Sequence, residues 1–334
     1  MNKLKYVFFL TFIYGIFQQQ VFANSKCFFA DRLIKPQTET IYLADPTIFL
    51  DKGIYYLYGT SSEQGFLVYQ SRDLKKWVGP AGKTNGFALA KGDAYGSKGF
   101  WAPQVFKIGN TYYMAYTADE HIAIAQSDSP RGPFKQKEIK ALSGVGKQID
   151  PFVFRDNDGK FYLYHVRLTA GNRIFVARMK DDLSDILPET VKECITATQD
   201  WENTAKTNWP VTEGPTVIKK GSLCYLIYSA NDFRNPDYAV GYATSKSPFG
   251  PWEKSNKNPI ISKTLLKING TGHGDLFTDK KGNMHYVFHT HHSNTQVSPR
   301  ATALVSVKFV KDSSNVFQLV VDPASFRFMQ VKKQ

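Results

Sequence analysis

Asp45-Pro46-Thr47-Ile48-Phe49, followed by Asp51-Lys52-Gly53 and Ile54-Tyr55-Tyr56-Leu57-Tyr58, opens a pattern that recurs along the chain. Ala102-Pro103-Gln104-Val105-Phe106 leads through Gly109-Asn110 to Tyr112-Tyr113-Met114-Ala115-Tyr116. Asp150-Pro151-Phe152-Val153-Phe154 leads through Asn157-Asp158-Gly159 to Phe161-Tyr162-Leu163-Tyr164. Gly214-Pro215-Thr216-Val217-Ile218 leads through Lys220-Gly221 to Cys224-Tyr225-Leu226-Ile227-Tyr228, and Gly274-Asp275-Leu276-Phe277 through Lys281-Gly282-Asn283 to His285-Tyr286-Val287-Phe288. A short apolar strand, a glycine-containing turn and an aromatic strand make a hairpin.

A third strand follows each hairpin: Phe66–Gln70, Ile122–Ala125, Ile174–Ala177, Ala239–Ala243 and Ala303–Val307. Polar turns such as Ser71-Arg72-Asp73-Leu74 and Ser247-Pro248-Phe249-Gly250-Pro251-Trp252 close several of the units. The spacing of roughly 50 to 63 residues matches four-stranded blades around an axis. The expected fold is therefore all-β: a five-bladed β-propeller, each blade a four-stranded antiparallel sheet, forming one domain over residues 24–334. Helices long enough for parallel crossovers are not predicted, which excludes a βα architecture. Thr196 to Pro210 reads as a long loop over one face.

The N-terminus reads differently. Lys3 and Lys5 precede the apolar run Phe8–Phe17, and Val21-Phe22-Ala23 offers small residues for cleavage after Ala23. Residues 1–23 are thus expected to be a signal peptide, and the protein to be exported to the periplasm or the extracellular space. An uncleaved anchor or a lipid on Cys27 are the alternatives; Asn24-Ser25-Lys26 lacks the small apolar box that lipidation needs. No segment has the roughly 20 apolar residues of a membrane span. The cysteines Cys27, Cys194 and Cys224 permit one disulfide at most, and Cys224 reads as a small buried hydrophobe within a strand. The 334 residues carry a net charge of +13. The basic residues are scattered rather than clustered, so nucleic acid is not an expected partner; a solvated basic surface or weak attraction to uronic-acid glycans fits better.

Repetition gives the acids their meaning. Equivalent positions of propeller blades converge at one mouth of the central channel. Asp45, Ala102, Asp150, Gly214 (with Glu213 before it) and Gly274 (with His273 before it) are those positions. Any one Asp-Pro is an ordinary turn opener. Three acids in register instead bring carboxylates together, where like charge must raise at least one pKa. Glycoside hydrolysis uses such a pair, one protonated and one ionised.

Ala44-Asp45-Pro46, Ile149-Asp150-Pro151-Phe152, Thr212-Glu213-Gly214-Pro215 and Gly270-Thr271-Gly272-His273-Gly274 together resemble glycoside hydrolase family 43 over essentially the whole mature chain. The resemblance implies an inverting mechanism. Asp45 would be the general base, Glu213 the general acid, and Asp150 would orient substrate and tune Glu213. Inversion needs the two carboxyls about 6.5–9.5 Å apart, with water between. The resemblance also makes Arg300 a candidate to hold the sugar next to the scissile bond, and places His273 deep in the channel, in contact with substrate, water or calcium. Calcium prefers oxygen ligands, so a single imidazole would hold it only through water. No cofactor is expected to be required; a structural calcium in the channel is the one metal considered. His289, His291 and His292 suggest zinc, but no cysteine or third spaced ligand supports it. Phe100, Trp101 and Trp209 are candidate sugar-stacking platforms, whereas Trp77 and Trp252 sit at blade ends and read as packing residues.

The expected activity is exo-acting α-L-arabinofuranosidase on pentose-containing plant polysaccharide side chains or oligosaccharides, by a monomer. β-D-Xylosidase, exo-galactosidase and endo-arabinanase of the same family are alternatives, because substrate choice lies in loops that the motifs do not specify. A non-catalytic glycan-binding propeller would be expected to lack one of the acids. Propellers acting on fructans carry Arg-Asp-Pro and Glu-Cys, where this chain has Ile149-Asp150-Pro151 and Glu213-Gly214.

Overall fold

The computed structural model describes residues 38–333; the expected signal peptide lies outside them. Five antiparallel sheets surround a central axis. Their innermost strands, Ala44–Asp51, Trp101–Ile108, Gln148–Arg155, Thr212–Lys220 and Gly272–Thr278, contact one another in a closed ring. Each inner strand pairs with the aromatic strand that follows it, and that strand with a third. The five-bladed propeller expected from the repeat is the observed fold.

The aromatic strands are apolar at successive positions because both faces of each blade are covered, and side chains alternate between the faces. Tyr164 and Val166 pack with Leu226 and Tyr228 of blade four, while Leu163 packs with Ile122 and Ile124 of blade two. Five such apolar clusters result, one at each blade–blade boundary. Cys224 is buried and free; Cys194 is free and partly exposed. Among the described residues the only α-helix is the turn Lys263–Leu266.

Blades three, four and five have four strands each. Blade two has three, its fourth reduced to the bridge between Gln126 and Lys135. In blade one the expected third strand Phe66–Gln70 is split. Tyr69–Ser71 stays in the blade, whereas Gly65–Leu67 leaves it to pair with Phe87–Ala90.

Blade one also closes the ring. Gln330–Lys332 lies parallel to the outer strand Trp77–Val78, and Thr38–Thr40 pairs with Gln330–Lys332. Val331 and Trp77, both buried, lie opposite each other in this seam. Val331→Asp would bury an unpaired charge and is expected to cost roughly 2–4 kcal/mol. A chemical denaturation midpoint equal to that of the parent would contradict the closure.

Candidate active site

Every inner strand is interrupted near its start by a bulge that turns one residue into the left-handed conformation. These residues are Asp45 (φ 49°), Ala102 (φ 46°), Asp150 (φ 57°), Gly214 (φ 59°) and His273 (φ 42°). In blades one to four a proline follows, which has no N–H to leave unpaired where the ladder is broken. Blade five lacks that proline, and its bulge is one residue long, between Gly272 and Gly274. The sequence register is corrected there: His273, not Gly274, is the equivalent of Asp45. Glu213 is the residue before its bulge, so it stands one position further out than the two aspartates, in the place Trp101 occupies in blade two.

The bulge N–H groups lose their strand partners and are satisfied from the neighbouring blade. Ala102 N–H donates to Thr60 Oγ1 (2.9 Å), Asp150 N–H to Thr117 Oγ1 (2.9 Å), and His273 N–H to Ser229 Oγ (2.7 Å). Asp45 N–H approaches His289 Nδ1 at 3.1 Å and Arg300 Nη1 approaches Nε2 at 3.3 Å. A neutral imidazole has one acceptor nitrogen and takes one of these bonds at a time. Gly214 N–H is different: it donates to Asp150 Oδ2 at 3.2 Å.

The three expected catalytic acids meet in this ring, each 6–8% exposed. Their surroundings differ. Asp45 Oδ1 accepts from Arg300 Nη1 (3.1 Å) and lies 3.3 Å from His273 Nδ1; Oδ2 accepts from Thr60 Oγ1 (2.7 Å). Burial works to raise the Asp45 pKa, but the Arg300 guanidinium, with His273 and His289 beside it, holds the carboxyl well below the usual range. Glu213 accepts from Tyr238 Oη (2.8 Å) and Asn172 Nδ2 (2.9 Å). Burial outweighs those bonds, and with Asp45 and Asp232 nearby it pushes Glu213 up to about 7. Burial, and then the charges of Glu213 and Asp45, also raise Asp150. One carboxylate held ionised and one carboxylic acid held protonated are the two partners that general acid–base hydrolysis needs.

Arg300 is half-sandwiched, its guanidinium 4.6 Å from the Phe233 ring centre on one side and Asp45 on the other. His291 Nε2, 2.8 Å from the Phe233 carbonyl, fixes that loop. On the opposite side Trp209, 49% exposed, donates from Nε1 to Asn172 Oδ1 (3.0 Å) and so stands directly behind the Glu213 partner. Its loop is the long connection read from the sequence. Buried Glu202 pins it, accepting from Thr198 N, Gln199 N, Lys254 Nζ and Tyr228 Oη at 2.5–2.7 Å. Trp101 is partly exposed and, with Arg300, Tyr42 and Glu63, lines a cleft of about 280 Å³ beside Asp45.

Phe100 is a correction. It is 1% exposed, its ring in the core between blades one and two against Phe66 and Tyr116, and has no face left for a sugar. The three neighbouring histidines separate: His289 joins Asp45 and Arg300 in the pocket, His291 braces Phe233, and His292 is exposed. Three contributors escaped the sequence: Asn172, Tyr238 and Thr60. Each stands at the mouth end of a second or third strand, and the only signal was a polar or hydroxyl residue at that place in the repeat.

Below His273 the channel narrows to about 20 Å³, lined by Thr47, Gln104, Thr216 and Asp275. Asp275 accepts from Thr47 Oγ1 (2.6 Å), and burial raises its carboxyl to about 6. Among the described residues no three His, Cys, Asp or Glu side chains converge as metal ligands. The oxygen donors lining it are the Thr47 and Thr216 hydroxyls, the Gln104 amide and the carboxylates of Asp45, Asp150 and Asp275, the ligand type that calcium prefers, with the His273 imidazole beside them.

A model of glycosyl hydrolases family 43 matches residues 39–314. A crystal structure described as an endo-1,4-β-xylanase from Bacteroides thetaiotaomicron VPI-5482 is 39% identical, covers 89% of this chain and 99% of its own, and superposes with a TM-score of 0.80. A β-D-galactofuranosidase of Aspergillus niger is 21% identical over 82% of both chains. A xylan 1,3-β-xylosidase of a Vibrio species is 26% identical over 71% of this chain, which spans 46% of that relative's length. Among the described residues no helix is long and apolar enough to cross a membrane. The acids on the axis, the propeller that carries them and the family match agree: the chain belongs to glycosyl hydrolases family 43 and is a glycoside hydrolase.

Proposed function

We propose that the protein is an inverting, exo-acting α-L-arabinofuranosidase on pentose-containing glycans. The observation that carries the mechanism is the opposite treatment of Asp45 and Glu213. Arg300 keeps Asp45 ionised, fit to take a proton from water; burial keeps Glu213 protonated, fit to give one to the leaving oxygen. Asp150, anchored on the Gly214 amide beside Glu213, orients the sugar, and the charge of Glu213 in turn helps to raise Asp150. Arg300 donates to sugar hydroxyls, and Trp209, behind Asn172, supports the leaving group by stacking. Exo action is supported by depth: acids less than a tenth exposed at the axis favour a chain end over a chain middle. A β-D-xyloside is the second reading, favoured by relatives named xylosidase/arabinosidase from Butyrivibrio fibrisolvens and Bacteroides ovatus.

Two outcomes are expected. Asp45→Ala lowers kcat by about 10²–10⁴-fold on p-nitrophenyl α-L-arabinofuranoside and on arabino-oligosaccharides alike. Glu213→Ala is as damaging on the oligosaccharides but spares much of the p-nitrophenyl activity, since nitrophenolate needs little protonation. Near-parental oligosaccharide turnover in either variant would end the assignment, and release from the β-D-xylopyranoside alone would decide for xylose.

The pH profile supplies the second test. Glu213 must be protonated to act, so kcat/KM is expected to fall as pH rises through about 7. Tyr238→Phe removes a donor that favours ionised Glu213, so the basic limb should move to higher pH; a move to lower pH would contradict the role of Tyr238.

Catalysis is also proposed to need no metal. Activity should survive EDTA, and a loss restored by calcium alone would overturn this.

A further inference from the structure

Asp45 and Asp150 occupy the same place in two blades, yet are held differently. The difference lies in the residue paired with the position just before each bulge. In the five blades that residue is Thr60, Thr117, Val166, Ser229 and His289. Four carry a polar side chain, and each takes the N–H of the next blade's bulge residue. Val166 is fully buried and has nothing to offer. The N–H it would have taken belongs to Gly214, and that N–H is the one that binds Asp150. In blade one the corresponding hydroxyl does two things at once: Thr60 Oγ1 accepts from Ala102 N–H and donates to Asp45 Oδ2, keeping Asp45 over its own blade. Asp150 has no such tether. It leans across the blade boundary onto the residue adjoining Glu213.

We propose that Val166 is a positioning residue: by offering no hydroxyl it leaves the Gly214 amide to hold the Asp150 carboxylate against blade four, and thereby separates the role of Asp150 from that of Asp45. The proposal rests on the reading of Glu213 as the general acid. It concerns a side chain that touches neither substrate nor the acid itself. The groups facing the pair are Asp45, His273 (Nδ1 3.8 Å from Asp150 Oδ2), Arg300 and Tyr238, with Asp232 beyond Glu213.

Val166→Thr is expected to reproduce blade one. The new hydroxyl accepts from Gly214 N–H and donates to Asp150, which swings back over blade three. The like-charge repulsion from Glu213, which with burial raises Asp150, then weakens. The upper limb of the pair's titration, which Asp150 sets, should move to lower pH by roughly one unit, with kcat falling at neutral pH and KM little changed. Val166→Ser, the smaller hydroxyl, should move it the same way. Val166→Ala, which opens a cavity without supplying a hydroxyl, should lower stability and leave the limb in place. A limb unmoved in both hydroxyl variants, or moved equally in Val166→Ala, would overturn the proposal. Carboxyl ¹³C NMR titration of the substrate-free proteins reads Asp150 directly. It separates the two claims: an unshifted Asp150 resonance in Val166→Thr refutes the role of Val166, whatever sugar the enzyme cleaves.

Discussion

A single backbone device, a left-handed residue at the bulge of each inner strand, makes the rest of the site possible. An extended strand would point these side chains alternately into the blade interfaces. The bulge turns them to the axis instead, and five repeats bring five such residues to one mouth. Only Gly214 adopts this conformation without steric cost; Asp45, Ala102, Asp150 and His273 each carry on the order of 1–2 kcal/mol of strain. The surrounding polar groups sustain it. The bulge amides are taken up by neighbouring blades, so each blade fixes the active residue of the next, and the ring must close for any of it to hold. Gly214 shows how close the packing is: a Cβ there would lie 2.8 Å from the His273 ring.

From that common backbone the chemistry is obtained by unequal surroundings. Asp45, Asp150 and Glu213 are similar in burial, and burial alone would raise all three pKa values. Arg300 reverses the outcome at Asp45 only. It is placed to do so by strand geometry on one side and by the Phe233 ring, braced by His291, on the other. Glu213, with neutral donors only, keeps its proton to about pH 7. The electrostatic asymmetry thus comes from one guanidinium, and the geometric asymmetry from a missing hydroxyl at Val166.

Much of this was legible in the sequence because repetition is a strong signal. Asp45-Pro46, Asp150-Pro151 and Gly214-Pro215 recur at equivalent places in the repeat, and the aromatic runs that follow them read as strands. The one-residue error at His273 arose because the proline that marks the other bulges is missing there, and glycines flank it on both sides. Phe100 was misread because its neighbour Trp101 faces the cleft, and alternation along the chain sends adjacent rings opposite ways. Asn172, Tyr238 and Thr60 were invisible for a different reason. They come from second and third strands whose polar residues have no motif, and only the three-dimensional register shows that they end at the mouth. Arg300 was found through family likeness; its pairing with Asp45, 255 residues away in the chain, had no local signature.

The account stands or falls on a base and an acid acting from opposite sides of the bond with a water between them. Proton NMR of the first sugar released, followed before mutarotation sets in, tests this most directly. The account predicts that an α-L-arabinofuranoside yields the β anomer first. Initial release of the α anomer would mean a covalent intermediate and a second displacement, and would contradict the roles given to Asp45 and Glu213.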